Sequence, residues 1–203
     1  MGFMDDVKKD SKRYGGTSDA NYFKFEDKGL YRMRILTKPT VIATHFFGKG
    51  QPSHVCVGID EGCKFHSESD KKPSIKLATY VIDRGDENRI KMAELPLSIS
   101  YGINDMQEDE DFAFSEFPMP YDVKVMYDPD NDDPKMKYRV QPSPKREELT
   151  AEQSKALEEK MSRMTPEQYV EKKKQREKDK IDGVSSSKVE YTKDDINPDD
   201  IPF

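Results

Sequence analysis

The chain has 203 residues, of which 33% are hydrophobic and 36% charged, so one ordinary domain fits while part of the chain must stay solvated. The formal net charge of -6 argues against a nucleic-acid-binding protein only if the charges are evenly spread. They are not, because acids crowd positions 105–111, 128–133 and 194–200. No apolar run approaches the roughly 20 residues that span a bilayer, and no signal-peptide core is present, so we expect a cytoplasmic protein without a membrane partner.

The first 145 residues predict a flexible arm followed by a β-domain. Residues 1–21 are basic and polar, with too little apolar surface to fold alone. β-Branched and aromatic residues bounded by turn formers then predict strands at 30–37, 41–47, 75–83, 95–99, 121–127 and 136–140. Several short strands with little helix between them indicate an OB-fold-like small β-barrel over residues 22–145. The predicted fold class is therefore mainly β.

The C-terminal third has a different character. Thr150 with Gln153, and Thr165 with Gln168, match the capping-box pattern, so charged helices are predicted to begin there within residues 146–182. The second helix is almost entirely charged over 171–180 and is expected to extend into solvent. Residues 183–203 are predicted to form a disordered acidic tail.

All three histidines and both cysteines fall between positions 45 and 66. The two-residue spacer between Cys63 and His66 lets a turn place two ligands on one metal ion. The predicted ligand set is His54, Cys56, Cys63 and His66, with His45 as the alternate ligand. One structural zinc ion is the expected cofactor, and a metal-free loop that holds these residues is the open alternative.

The chain ends in DDINPDDIPF, which is the most specific signal in the sequence. Exposed Ile and Phe gain nothing from water, but as a ligand Phe203 would fill an apolar pocket while the acids pair with basic residues around it. The predicted partner-binding residues are Asp199, Asp200, Ile201, Pro202 and Phe203. This peptide closely resembles the acidic tip of bacterial and phage single-stranded DNA-binding proteins.

The resemblance extends over roughly residues 21–145. The segments YFKFEDKGLYRMRIL at 22–36 and YDVKVMYDPDNDDPKMKYRVQPSP at 121–144 are similar to phage helix-destabilising proteins. The stretch from His45 through Cys56, Cys63 and His66 to ATYVIDR at 78–84 is similar to their Cys/His insertion and the strand that follows it. The resemblance implies an OB-fold that binds and protects single-stranded DNA during phage replication, recombination and repair, in the cytoplasm of an infected host. It also implies that the tip recruits replication or repair proteins, and that the basic arm contacts a neighbouring copy along the DNA.

Binding without sequence preference needs cations that follow phosphates and exposed rings that stack on bases. The candidate cations are Arg32, Arg34, Lys76, Lys124, Lys137 and Arg139. Within each strand, Arg32 shares a face with Arg34, and Lys137 shares one with Arg139. The candidate rings are Phe46, Phe47, Tyr80 and Tyr101. The alternative is that the charges only solvate the sheet and the rings only pack in a core.

Two other functions fit parts of the sequence. A protein-binding adaptor in replication or transcription would use the tail without binding DNA. A zinc-dependent nuclease would need the Cys/His cluster to be catalytic with an open ligand position. The sequence lacks a phosphate-binding loop, a nucleophile elbow and an HExxH motif, so we expect that the protein is not an enzyme.

Overall fold

A computed structural model describes residues 21–48, 53–68, 72–133 and 136–186, and this part of the chain is mainly β with two C-terminal helices. The strands are β1 Tyr22–Phe23, β2 Gly29–Ile35, β3 Thr40–His45, β4 His54–Val55, β5 Ser74–Asp83, β6 Arg89–Pro96, β7 Tyr121–Tyr127 and β8 Tyr138–Arg146. The helices are α1 Phe65–Glu68, α2 Leu97–Gln107, α3 Ala151–Arg163 and α4 Pro166–Ser186. None of the described helices has the length and apolar character needed to cross a membrane.

The eight strands form one mixed sheet in the order β1-β6-β5-β2-β7-β8, and β3 pairs with both β5 and β4. The β1–β6 pair is parallel, and the other pairs are antiparallel. Strand β5 is the central strand of the sheet. Its ten residues pair with β6 along most of their length, and β5 also pairs with β3 and β2. Among the described strands no ladder joins β1 to β8, so the sheet is not a closed barrel.

One core lies on the inner face of the sheet, under helix α2. Met33, Ile35, Tyr121 and Val123 come from the alternate positions of β2 and β7 and are almost fully buried. Helix α2 reaches this core through Ile99, and it approaches β8 so closely at Gly102 that a Cβ there would clash with Val140.

A second core lies on the opposite face, where α3 and α4 cover β5 and β6. Both predicted capping boxes are present: the hydroxyls of Thr150 and Thr165 each accept a hydrogen bond from the backbone N–H three residues later. Tyr169 and Val170 of α4 are buried in this core. Helix α4 therefore packs along the sheet through these residues, where the sequence predicted a solvated helix.

The predicted strand at 95–99 is wrong: residues 95–96 end β6, which begins at Arg89, and residues 97–99 begin helix α2. The chain leaves β6 at Pro96 and enters α2, because Ile99, Ile103 and Met106 recur at helical spacing and pack on the core. The predicted basic arm up to residue 20 and the predicted tail from residue 187 lie outside the described residues.

Candidate metal centre and nucleic-acid interface

Four potential metal ligands converge beside the β3–β4 pair: His45, Cys56, Cys63 and His66. Their ligand atoms all lie within 4.8 Å of one another. Cys56 Sγ is 3.1 Å from His66 Nε2, and Cys63 Sγ is 3.5 Å from His45 Nε2. Zinc bonded to sulfur and nitrogen at its usual distances would give tetrahedral edges of roughly 3.3–3.8 Å. The cluster is thus close to the geometry that a bound metal ion requires.

The loop between the two cysteines is folded by local turn chemistry. Gly58 and Gly62 have φ angles of 111° and 76°, a region that favours glycine. The Cys63 N–H donates to the Gly58 carbonyl at 3.0 Å, and the His66 N–H donates to the Cys63 carbonyl at 3.3 Å. The Cys56 N–H donates to the carbonyl of Ala43 at 2.8 Å, which attaches the loop to the sheet. The two glycines therefore bring Cys63 back to Cys56.

The protonation states of this cluster suit a metal ion. Burial lowers the pKa of His45, so its imidazole is neutral at pH 7, which is the form that binds metals. Burial raises the pKa of the Cys56 thiol, which keeps its proton until a cation displaces it. Four protein ligands would also fill a tetrahedral shell and leave no open position. This donor set fits a structural ion.

His54, which the sequence placed in the ligand set, lies outside the cluster, and the alternate ligand His45 takes its place. The His54 Nδ1 atom lies 2.6 Å from the Glu177 carboxylate of α4, and its ring stacks on Phe65 with centroids 4.3 Å apart. We call residues 53–68, which carry three of the four ligands, the metal lobe. Lys178 of the same helix pairs with Glu61 in this lobe, and Ile181 packs against its small core of Cys56, Val57, Cys63 and Phe65. Helix α4 thus holds the metal lobe through contacts that include His54.

A groove of about 560 Å³ lies between β1, β6 and the first half of α4. Its walls combine aromatic rings with cations, namely Tyr22, Phe23, Phe25, Tyr138 and Tyr169 with Lys24, Lys76, Lys172, Lys173 and Arg176. Tyr22 is the most exposed of these rings at 39%, and its centroid is 6.0 Å from that of Tyr169. Lys172 and Arg176 are exposed and lie one helical turn apart.

A single carboxylate, Glu94, lines this groove. Burial acts to raise the pKa of Glu94, but contacts with Lys173, Tyr169 and Lys76 outweigh it and lower the pKa. Tyr169 donates to Glu94 at 2.8 Å, Lys76 lies 3.6 Å away, and Lys173 forms the closest ion pair. Glu94 is therefore ionised at neutral pH and offsets only one of the groove's five cations.

A second basic surface crosses the outer face of β2, β7 and β8. In the strand register, Arg32 of β2 lies opposite Lys124 of β7, and Lys124 lies opposite Gln141 of β8. Arg139 lies two residues before Gln141 and therefore on the same face of the sheet. We call Arg32, Lys124 and Arg139 the outer row. The register thus brings together three of the six cations that the sequence singled out.

Comparison with protein-family models, curated proteins and solved structures finds no match to this chain. The resemblance to phage single-stranded DNA-binding proteins therefore stays a prediction from the sequence.

The other three predicted cations lie in three different places: at the groove, just before β8 and in the interior. Lys76 lines the groove, and Lys137 is half-buried just before β8. Arg34 shares a face with Arg32, as the strand period requires, but it is only 1% exposed. It donates to the buried Asp122 carboxylate at 2.9 Å. Arg34 thus stabilises the sheet and is removed from the candidate contact surface.

The four predicted rings differ in burial. Tyr80 is buried at 6% exposure and donates to the Met164 carbonyl at 2.9 Å, so it is a core residue and cannot stack on a base. Phe46 is 54% exposed, whereas Phe47 packs on His54 and Phe65 of the metal lobe. Tyr101 is 62% exposed on α2. None of the four lines the groove.

Sequence reasoning missed most of the groove. Lys172, Lys173 and Arg176 were taken as a solvated helix face, although their spacing places them along one side of α4. Tyr22 stands at the boundary of the predicted arm, where a strand of only two residues gives almost no alternation signal. Helical spacing of cations was the one signal that could have indicated this surface.

Proposed function

We propose that the protein binds single-stranded DNA without sequence preference and protects it. The observation that carries this proposal is the groove, because it combines exposed cations with aromatic walls on a chain whose net charge is -6. Cations follow the phosphates of a strand, and every base has a face that can stack on an aromatic ring. Duplex DNA keeps its bases paired and stacked, so this pairing of features favours a single strand.

The charge of the groove supports the same ligand. Five cations and one carboxylate leave a local excess of four positive charges on a protein that is acidic overall. Tyr138 and Tyr169 add no negative charge at neutral pH, because burial raises the pKa of Tyr138 to about 12 and raises that of Tyr169 as well. An anionic polymer would thus be attracted to this site.

The fold proposal is an OB-like domain with a metal lobe inserted between β3 and β5. Antiparallel pairing of β2, β5 and β7 around an inner core, with α2 packed at that core, supports it. The metal proposal is one zinc ion in the Cys2His2 cluster, supported by two thiols, two imidazoles and nearly tetrahedral spacing. With four protein ligands the ion would be structural, which disfavours a zinc-dependent nuclease.

The terminal residues 199–203 are proposed to recruit replication or repair proteins. Support comes from the sequence alone, since this peptide lies outside the described residues. An apolar tip preceded by two acids suits a basic pocket with an apolar floor on a partner. The adaptor alternative shares this tail and differs in having no affinity for DNA.

Anisotropy titration of labelled oligo(dT) against the full chain tests the main proposal across a salt series. Lys172→Ala with Arg176→Ala should lower the slope of log affinity against log salt by roughly 1.4, since each phosphate contact on a single strand contributes about 0.7. Lys155→Ala is the charge control because that side chain is exposed on α3 and lies outside the groove.

The stacking part is tested by Tyr22→Leu, which should weaken oligo(dT) binding by about 1–3 kcal/mol. Tyr101→Leu is the matched comparison because that ring is more exposed but lies outside the groove. No binding of oligo(dT) by the unaltered protein would reject the proposal. Equal losses for the two tyrosine variants would reject the groove as the stacking site.

A further inference from the structure

Three arginines converge on one buried carboxylate beside the outer row. Asp122 is 1% exposed and accepts from Arg34 Nε at 2.9 Å, from Arg84 Nη2 at 3.0 Å and from Arg84 Nε at 3.1 Å. Arg32 Nε lies 2.8 Å from the same carboxylate. Three guanidinium groups share one negative charge, which leaves an excess of two positive charges at this point.

The other carboxylates nearby cancel only part of this excess. Asp83 and Asp86 share one cation, Lys91, at 2.8 Å and 2.7 Å, so this group carries one net negative charge. Glu147 pairs with Lys145, and its carboxylate is 3.9 Å from the nearest arginine nitrogen of the cluster. The arginine cluster and these neighbours together therefore keep an excess of one positive charge.

The three arginines form a gradient from the interior to the surface. The Arg34 side chain is 1% exposed, that of Arg84 16%, and that of Arg32 46%. Arg84 Nη1 donates to Asn88 at 2.9 Å, so three of the five N–H donors of Arg84 are engaged and two, one on each Nη nitrogen, are left. Within the part of the chain that the structure describes, Arg32 uses only its Nε, so its two amino groups stay available. Arg32 and Arg84 also line a cavity of about 460 Å³, together with Asp83 and Asp86, whose carboxylates both bind Lys91.

We propose that Arg32 and Arg84, positioned by Asp122, bind one phosphate group in the backbone of a single strand. This inference rests on the proposed function and adds a second contact point outside the groove. A guanidinium matches phosphate geometry through two parallel N–H donors, and an arginine already fixed by a carboxylate loses little freedom on binding. Asp122 is a positioning residue because it is too buried to touch the ligand.

The surface around this site suits a nucleic-acid strand. Lys124 lies directly opposite Arg32 in the sheet, so the cation beside the site continues along the outer row. Leu30 is 60% exposed and pairs with Met126, which is 36% exposed and lies opposite Arg139. Apolar side chains between cations give sugars and bases a contact surface without sequence preference.

The test compares two cluster variants with a matched control in the full chain. Arg32→Gln removes the exposed charge, Arg84→Lys keeps the charge but loses the paired donors, and Arg89→Gln removes an equally exposed arginine at the start of β6. Arg32→Gln should weaken oligo(dT) binding about three- to tenfold at low salt and lower the salt slope by about 0.7, whereas Arg89→Gln should change neither. Arg84→Lys should weaken binding in the same direction.

Two further measurements identify phosphate as the ligand and keep the site testable by itself. An oligo(dT) with uncharged methylphosphonate linkages should bind the Arg32→Gln variant and the unaltered protein equally. Inorganic phosphate should shift the Nε resonances of Arg32 and Arg84 but not that of Arg89 in a nitrogen-15 NMR titration.

The outcomes separate this site from the proposed function. If the unaltered protein binds oligo(dT) while Arg32→Gln behaves like Arg89→Gln, the phosphate site is refuted and the groove still stands. If the unaltered protein does not bind oligo(dT), the proposed function fails, and the phosphate titration then decides alone. Shifted Arg32 and Arg84 resonances would support an anion site, and unshifted ones would overturn it.

Discussion

The contact between Glu177 and His54 gives the sharpest test of how helix α4 is joined to the metal lobe. The Glu177 side chain is 5% exposed, and its oxygen lies 2.6 Å from His54 Nδ1. A hydrogen bond to a charged group contributes about 1.5–3 kcal/mol, and breaking a fully buried ion pair costs about 3–5 kcal/mol. His54 is 26% exposed and can hydrate once its partner is lost. Glu177→Ala should therefore lower the free energy of unfolding by about 2 kcal/mol.

If the cluster binds zinc as proposed, Glu177→Ala should also weaken zinc binding, because a site that forms only in the folded lobe shares the folding free energy of that lobe. Since about 1.4 kcal/mol corresponds to a tenfold change, apparent zinc affinity should fall by up to about 30-fold. Urea unfolding gives the first quantity, and competition with a zinc-binding dye gives the second. Glu177→Gln, which keeps a hydrogen-bonding side chain, should lie between Ala and the unaltered protein.

Glu171→Ala is the control because this carboxylate is on the same helix, is 71% exposed and, among the described residues, pairs only with Lys174 at i+3. An exposed pair of this kind contributes about 0.3–0.5 kcal/mol. If Glu177→Ala is no less stable than Glu171→Ala, or if it binds zinc as tightly as the unaltered protein, the coupling of α4 to the metal lobe is refuted.

The remaining predictions concern packing, pH, the metal and the tail. Gly102→Ala should destabilise the protein by about 1–2 kcal/mol in urea unfolding, because its Cβ would lie 2.8 Å from Val140, a clash that outweighs the better helix propensity of alanine. Burial acts to raise the pKa of Asp122, but the arginines outweigh it and lower the pKa below its ordinary 3.8. The stability from Asp122 should thus be complete above about pH 5 and fall as the pH drops below about 4, so a urea midpoint unchanged down to pH 3 would contradict it. Removal of zinc by a chelator should make the buried Cys63 react quickly with a thiol reagent, and equal rates with and without chelator would argue against metal binding. Deletion of residues 194–203 should tighten oligo(dT) binding most at low salt, where unchanged affinity would refute competition by the acidic tail.

Local patterns predicted the elements whose signals are short in range. Strand β7 lies where the sequence placed it, and β5 differs by one residue, because each is rich in β-branched and aromatic residues and bounded by turn formers. The capping boxes at Thr150 and Thr165 were predicted correctly for the same reason, since each needs only four consecutive residues. Strand β6 was misplaced because Arg89, Lys91 and Glu94 make it look solvated, although ion pairs hold these charges.

The sequence could not predict contacts between residues that are far apart in the chain. His45 and His54 are directly opposed in the β3–β4 pair, and either could have completed the metal cluster. Glu177 decides between them by holding His54, and it lies 123 residues away. Likewise, strand alternation correctly put Arg32 and Arg34 on one face but could not show that Asp122 buries the second of them.

Helix α4 connects the groove to the metal lobe. Lys172 and Arg176 line the groove, while Glu177 and Ile181 contact the lobe that holds the metal ligands. At 1.5 Å per residue, Arg176 and Ile181 are only about 7.5 Å apart along the helix axis. If the groove binds DNA as proposed, a metal ion could affect that binding without touching the strand, because loss of the lobe would release the helix that presents the cations. The change in DNA-binding free energy on metal loss could not exceed the free energy of the contacts between the metal lobe and α4. A ligand shifts an equilibrium only by the difference in its affinity for the two states, which here are α4 held and α4 released.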